Sequence, residues 1–340
     1  MPLEHQEAGP VRVERQQEGQ PHAGKVLAAI QAHADDIPFF CAGTVAKLIS
    51  EGYTGYLIQT TNDEKCGPTP SLGATILSNE QEFAKFLAFL EDTARLLATH
   101  WGPKQLALQL MTEPGANALP WNELQPRLWQ AARRAMPGHT LILAGDQVGT
   151  IDGLVSTKPV NDANVLYSFT FYDPFVLTLQ GGEWLTPKLW AFLGGIPYPS
   201  SPEIIAAHKQ AILEKIPPEP PEWRAAAEGM LLEYGNARWN REKIAGCVRK
   251  LADWNKSHGG ALRIWCAEFG CYQHSIDPED RRRYLKDVRE TFEENGIGWA
   301  YWSYNETLTV MAPGRQPFGP AHLQTPDKRL LEVLLPRSGD

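Results

Sequence analysis

Apolar positions along the chain alternate between two periods. Lys25–Gln31 (KVLAAIQ) is a short apolar run closed by the polar cluster His33–Asp36, which predicts a buried parallel strand leading into a helix capped by Asp35 or Asp36. Phe39, Phe40, Val45, Leu48 and Ile49 recur at helical spacing and stop at Gly52, and Tyr56–Thr60 (YLIQT) reads as a second strand. After a loop over 67–78, Ser78 with Gln81 reads as a capping box for a helix to about Thr99, with Phe83, Phe86, Leu87, Leu90, Ala94 and Leu97 as its apolar stripe.

The alternation continues to the C-terminus. Leu106–Met111, Thr140–Ala144, Val165–Phe171, Leu262–Cys266 and Trp299–Tyr304 read as strands, interleaved with helical patterns at Leu124–Ala135, Arg238–Asn255 and Pro278–Asn295. That is seven strands, and Val11–Val13 in an otherwise polar leader (1–23) is a candidate eighth. Strand–helix units in this number predict an α/β fold, a (β/α)8 TIM-like barrel, over a doubly wound sheet, with the Pro- and Trp-rich stretch 181–237 as an insertion.

Composition narrows the function classes. The 340 residues are 43% apolar and 21% charged, with a net charge of −8 and no cluster of Lys and Arg, which argues against a nucleic-acid partner. The five cysteines are scattered without a CxxC pair, so a disulfide framework is not expected. No apolar run has the length of a membrane span, and the first twenty residues lack the apolar core of a secretory signal. The expectation is a monomer with no membrane partner, cytoplasmic as the chain stands.

Active sites of such barrels lie at the carboxyl ends of the strands. Those ends read MTEPG (111–115), AGDQ (144–147), SFTFYDPF (168–175), CAEFGCY (266–272) and WSYNE (302–306). Glu113 and Glu268 each sit at such an end, and two carboxylates at one barrel mouth are the minimal machinery of glycoside hydrolysis. The eleven tryptophans fit sugar faces: Trp302 lies at a strand end, and Trp121, Trp184 and Trp190 read as loop residues.

From about Phe83 onward, SFTFYDPFVLTLQG, CAEFGCY and WAYWSYN resemble, in order and spacing, glycoside hydrolase family 5, the cellulase-type retaining endoglycanases. The resemblance implies that Glu113 is the acid/base and Glu268 the nucleophile. It further implies that Tyr172 hydrogen-bonds the nucleophile, that Trp302 is a platform under the sugar, that no cofactor is needed, and that the partner is a β-linked oligo- or polysaccharide. Thr112 stands where the family has Asn and Thr170 where it has His, so both are candidate substrate-binding positions with altered chemistry. Trp121, Gln180 and Asp173 are further substrate-binding candidates, and Asp146 lines the same strand ends. The alternatives are a weakened enzyme, or a repurposed or engineered barrel that binds carbohydrate without catalysis.

Residues 24–82 resemble a different family. KVLAAIQAHADDIPFFCAGTVAKLISEGYTGYLIQTTNDEKCG is similar to the opening of the PIG-L-type zinc deacetylases, Rossmann-like enzymes acting on N-acetyl groups. That resemblance implies His33 and Asp36 as metal ligands and Asp35 as base, with a zinc-dependent N-deacetylase as the third functional alternative. The later His-x-x-His that would complete a three-ligand site is missing. The expectation is therefore a chimera: a βαβ piece of Rossmann-like ancestry (24–82) integrated with a family 5-like barrel portion (83–340).

Overall fold

The computed structural model describes residues 19–21, 23–24, 26–31, 51–52, 54–59, 77, 79–115, 120–303, 308–312 and 325–335. Strands β1 (Val26–Gln31) and β2 (Thr54–Gln59) pair in parallel, Val26 opposite Thr54 and Gln31 opposite Gln59. The other five described strands form one parallel sheet in chain order: β3 (Ala107–Gln109), β4 (Thr140–Ala144), β5 (Val165–Phe171), β6 (Arg263–Phe269) and β7 (Gly298–Tyr301). Sequential order in an all-parallel sheet is what repeated right-handed strand–helix units produce.

Helix α1 (Glu80–His100) is capped by Asn79, whose side-chain oxygen accepts from the backbone N–H groups of Gln81 and Glu82 at 2.8 and 3.3 Å. The cap lies one residue beyond the expected Ser78. Phe83, Leu90, Ala94 and Leu97 bury one face of α1, against α2 (Trp121–Ala135), and Arg127 of α2 lies over the Phe83 ring with its charge paired to Glu80. Helix α2 begins at Trp121, three residues before the apolar pattern suggests. A short helix α3 (Ile151–Val155) follows β4. The stretch 181–237 folds into α4 (Pro202–Leu213) and α5 (Glu222–Ala237), and α6 (Arg241–Ser257) leads into β6. Asn240 caps α6 because Arg238 takes a left-handed φ of 50° and ends α5 there. Helices α7 (Pro278–Glu294) and α8 (Lys328–Leu334) follow β6 and β7, and short helical turns lie at Asp146–Gly149, Phe175–Thr178 and Lys188–Phe192. None of the described helices is long and apolar enough to cross a membrane.

The outer face of the sheet meets the helices through aromatic rings. Phe292 of α7 receives Phe169, Phe171 and Phe269 edge-on, with centroids 5.6, 5.7 and 5.8 Å away, and Trp254 of α6 receives Tyr167 at 5.4 Å. Tyr167, Phe169 and Phe171 alternate along β5, so Ser168 and Thr170 face the inside of the curved sheet. Trp299 and Tyr301 pack on Phe269 and share the outer face, which turns the next residue, Trp302, inward. Phe292 is fully buried against rings from two adjacent strands, β5 and β6. Phe292→Ala is expected to cost about 3–5 kcal/mol of stability, read as a lower urea midpoint with an unchanged m-value.

Candidate active site

Strand β6 runs three residues beyond its predicted end, through Phe269, so Glu268 lies within the strand. Its aim depends on one extra residue. Against β5, Cys266 pairs with Phe169 but Glu268 pairs with Thr170; against β7, Cys266 pairs with Trp299 and Phe269 with Tyr301. Both neighbours thus see β6 bulge at 267. Cys266 shares the outer face with Phe169 and Trp299, so in a regular strand Glu268 would also point outward, into the aromatic core. The bulge reverses the alternation and turns Glu268 inward beside Thr170.

Tyr172, just past β5, donates its hydroxyl to Oε2 of Glu268 at 2.9 Å. Burial, then the Glu268 charge, holds the Tyr172 phenol well above its ordinary value, and Glu113 contributes to the same rise. Tyr172 therefore stays a donor, and both carboxylates lie within its electrostatic reach. Cys266 and Cys271 flank Glu268 and are buried, which pushes both thiols up, Cys271 to about 12. Neither supplies a thiolate at neutral pH.

Glu113 lies in the loop after β3 with a left-handed φ of 47°. The residue keeps solvent access while its carboxyl is partly enclosed by protein. Removal of water from the charged form raises its carboxyl pKa, and a hydrogen bond with the Thr170 side chain works against that rise. Gln147, Val148 and Gly149, just after β4, form a left-handed turn with φ of 50°, 54° and 76°. For Gln147 and Val148 this costs roughly 1–2 kcal/mol each, and a β-branched residue there is a true outlier.

Residues 71–307 match the family described as Cellulase (glycosyl hydrolase family 5). The chain belongs to glycosyl hydrolase family 5. Endoglucanase 3 of Fibrobacter succinogenes is 24% identical over 238 residues, covering 68% of this chain and 34% of that protein. Endoglucanase C of Acetivibrio thermocellus is 24% identical over 204 residues, covering 60% of this chain and 54% of that protein. The chain thus spans between about a third and a half of these curated relatives. Among solved structures, the endoglucanase Cel5A of Thermotoga maritima aligns with a TM-score of 0.58 at 20% identity, covering 86% of this chain and 76% of that one. Subunit Z of the Clostridioides difficile cellulose synthase aligns with a TM-score of 0.60 at 17% identity, covering 92% and 87%. The fold is the TIM-barrel-like α/β fold of family 5. The deacetylase resemblance of residues 24–82 has no counterpart among these relatives, and His33, Asp35 and Asp36 lie outside the described residues. Among the described residues, no group of three or more His, Cys, Asp and Glu is placed to hold a metal ion.

Several family 5 candidates gather at the strand ends. Glu113, Thr170, Tyr172 and Glu268 form one connected group, and Trp302, half-buried, binds its backbone N–H to Phe269 O at 2.9 Å. Thr112 is exposed and accepts from the Gln109 amide at 2.9 Å. Asp146 spends its carboxylate on the Gln147 N–H.

Two substrate-binding candidates, Trp121 and Gln180, are corrected. Trp121 is not a loop platform: it opens α2, is buried, and donates its indole N–H to Ala144 O at 3.0 Å. Gln180 is fully buried, its amide bound to the carbonyls of Leu177 and Ile196 and to the N–H of Ile196, so it joins two loops and offers nothing to a ligand. Asp173 is half-buried, and burial followed by the Asp152 charge raises its pKa while Lys250 lowers it.

Of the three tryptophans read as loop residues, Trp184 is the exposed one, at 47%, held edge-on by Tyr272 with 4.9 Å between centroids. Tyr272 in turn meets the His274 ring edge-on at 5.1 Å. This aromatic wall beside β6 was invisible in periodicity, since Tyr272 and His274 sit in irregular chain. Gly145 and Gly149 bracket the left-handed turn, which hydrophobic periodicity does not signal.

The raised Glu113 pKa has a stability consequence. The folded state binds this proton more tightly than the unfolded chain, so the contribution is complete below the ordinary carboxylate range and is lost as pH rises through the folded-state value. Glu113→Gln is therefore expected to raise the thermal midpoint relative to the parent at neutral pH, with the advantage shrinking at acidic pH; a melting series across pH measures it.

Proposed function

We propose that the chain is a retaining endo-β-glycosidase acting on β-linked glucan-type polysaccharides, with Glu268 as nucleophile and Glu113 as acid/base. The observation that carries this reading is the single phenol, Tyr172, bonded to one carboxylate and electrostatically coupled to the other. It rests also on family membership and on relatives named as endoglucanases. The two environments separate the roles: the Tyr172 hydrogen bond favours ionised Glu268, whereas burial favours protonated Glu113.

In the first step a Glu268 oxygen attacks the anomeric carbon, the glycosidic C–O bond breaks, and Glu113 gives its proton to the departing oxygen. In the second, Glu113 takes a proton from water, the hydroxide oxygen bonds to the anomeric carbon, and the Glu268 ester bond breaks. Two inversions retain configuration, which requires carboxyl groups about 5–5.5 Å apart. Trp302 and the exposed face of Trp184 would stack on sugar rings.

Thr112 replaces the family's Asn, which by the resemblance holds the sugar 2-hydroxyl, an interaction that strengthens in the transition state. This predicts slow turnover. Thr112→Asn is expected to raise kcat roughly 10- to 100-fold, the worth of one hydrogen bond to a charged transition state. Glu268→Gln is expected to lower hydrolysis of an aryl β-cellobioside by roughly three orders of magnitude or more with the fold intact. Proton NMR of the first product should show the β anomer. Unchanged turnover in Glu268→Gln would remove the assignment, and calorimetric binding of cello-oligosaccharides without any product would replace hydrolysis by sugar binding.

A further inference from the structure

The β5–β6 register ends where Phe171 faces Phe269, one residue before Tyr172 and one after Glu268. Past that pair the ladder no longer fixes the spacing of the two chains, yet the Tyr172 phenol lies 2.9 Å from Oε2 of Glu268. A buried threonine supplies the missing link. Thr178 closes the helical turn Phe175–Thr178 and has no exposed surface; its hydroxyl lies 2.5 Å from the Tyr172 carbonyl oxygen, and its own carbonyl accepts from the Tyr272 N–H at 2.7 Å. One residue therefore holds the backbone of the phenol and the backbone of the chain leaving β6.

A threonine hydroxyl has a single proton to give. Pro174 O is 3.4 Å from it and Tyr172 O only 2.5 Å, so the proton goes to Tyr172. The Thr178 N–H is spent on Pro174 O at 3.1 Å, which leaves none of its polar groups for a ligand. Its seat is fastened in turn: the Leu179 N–H donates to Phe175 O at 2.8 Å, and the Tyr284 hydroxyl donates to Asp173 O at 2.7 Å. Valine would fill the same space without a hydroxyl to satisfy.

We propose that Thr178 is a positioning residue for the nucleophile: it ties Tyr172 to the exit of β6 at the separation that lets the phenol donate to Glu268, a role that rests on the reading of Glu268 as nucleophile. The titratable groups around the Tyr172 phenol are Glu268 and Cys266 on β6 and Glu113 on the loop after β3. Thr178 adds no charge to them. It acts through geometry alone.

The test is a double-mutant cycle on the whole chain, assayed on an aryl β-cellobioside across pH. Thr178→Val is expected to lower kcat roughly 3- to 10-fold with KM little changed, the worth of one neutral hydrogen bond. The acidic limb of kcat/KM moves up by roughly 0.5 pH unit, because a displaced donor favours the ionised carboxylate less. Thr178→Ser keeps the hydroxyl and restores both. In a Tyr172→Phe background the phenol hydroxyl is already gone, so Thr178→Val lowers kcat no further. Thr178→Ala, which removes the hydroxyl without adding a methyl, gives the same cycle.

Additive losses in the cycle would make Thr178 a packing residue and overturn the proposal, as would an unmoved acidic limb or a Thr178→Ser variant as slow as Thr178→Val. Undiminished hydrolysis in Glu268→Gln would instead remove the nucleophile reading, an outcome distinct from any of these.

Discussion

The candidate site depends on one supernumerary residue in a central strand. The outer faces of β5, β6 and β7 are committed to Phe292 and its aromatic neighbours, so each strand's orientation is set by where its large rings must go. On β6 that commitment alone would send Glu268 into an apolar layer, where an unpaired carboxylate is not tolerated. The bulge at 267 lets Cys266 and Phe269 both serve the core while Glu268 turns to Thr170 and Tyr172. Core packing and the inward aim of Glu268 are reconciled by breaking the period once.

The two glutamates are supported in different ways. Glu268 is fixed by a strand inside a paired sheet and by a phenol that remains a donor. Glu113 follows a three-residue strand and depends on loop backbone: its own left-handed φ, the Pro114 carbonyl and the strained turn at Val148. The rigid group faces the anion-favouring partner and the loop-borne group lies where burial favours its neutral form. This asymmetry suits a pair in which one member must be ionised and the other protonated at the same pH.

Much of this was legible in the chain. The limits of β4 and β5 coincide with their apolar runs because turn residues flank both, and the α1 stripe was readable because its partner is another helix with one apolar face. Both glutamates were legible as acids at strand ends, and the family strings marked the stretches that carry them. The bulge was not, since it exists only relative to two neighbours distant in sequence, and so β6 was read three residues short. Trp121 and Gln180 were misread because type and nearness to a strand end do not report burial: each spends its polar atoms on backbone. The left-handed turn escaped because Gln and Val are poor residues for that conformation, so propensity points away from what tertiary contacts impose.

Arg281 near the start of α7 is buried, and its guanidinium reaches the carbonyls of Cys271, Leu308 and Thr309, the Tyr301 hydroxyl and the Gln273 side chain. A planar fork with that many fixed partners has no alternative rotamer that keeps them. The segments leaving β6 and β7 are thereby clamped to the same cation, and so to each other. The consequence is mechanical: the wall carrying Tyr272 and the wall carrying Trp302 shift together or not at all, so adjustment of cleft width falls to the opposite side, where Glu113 stands on loop.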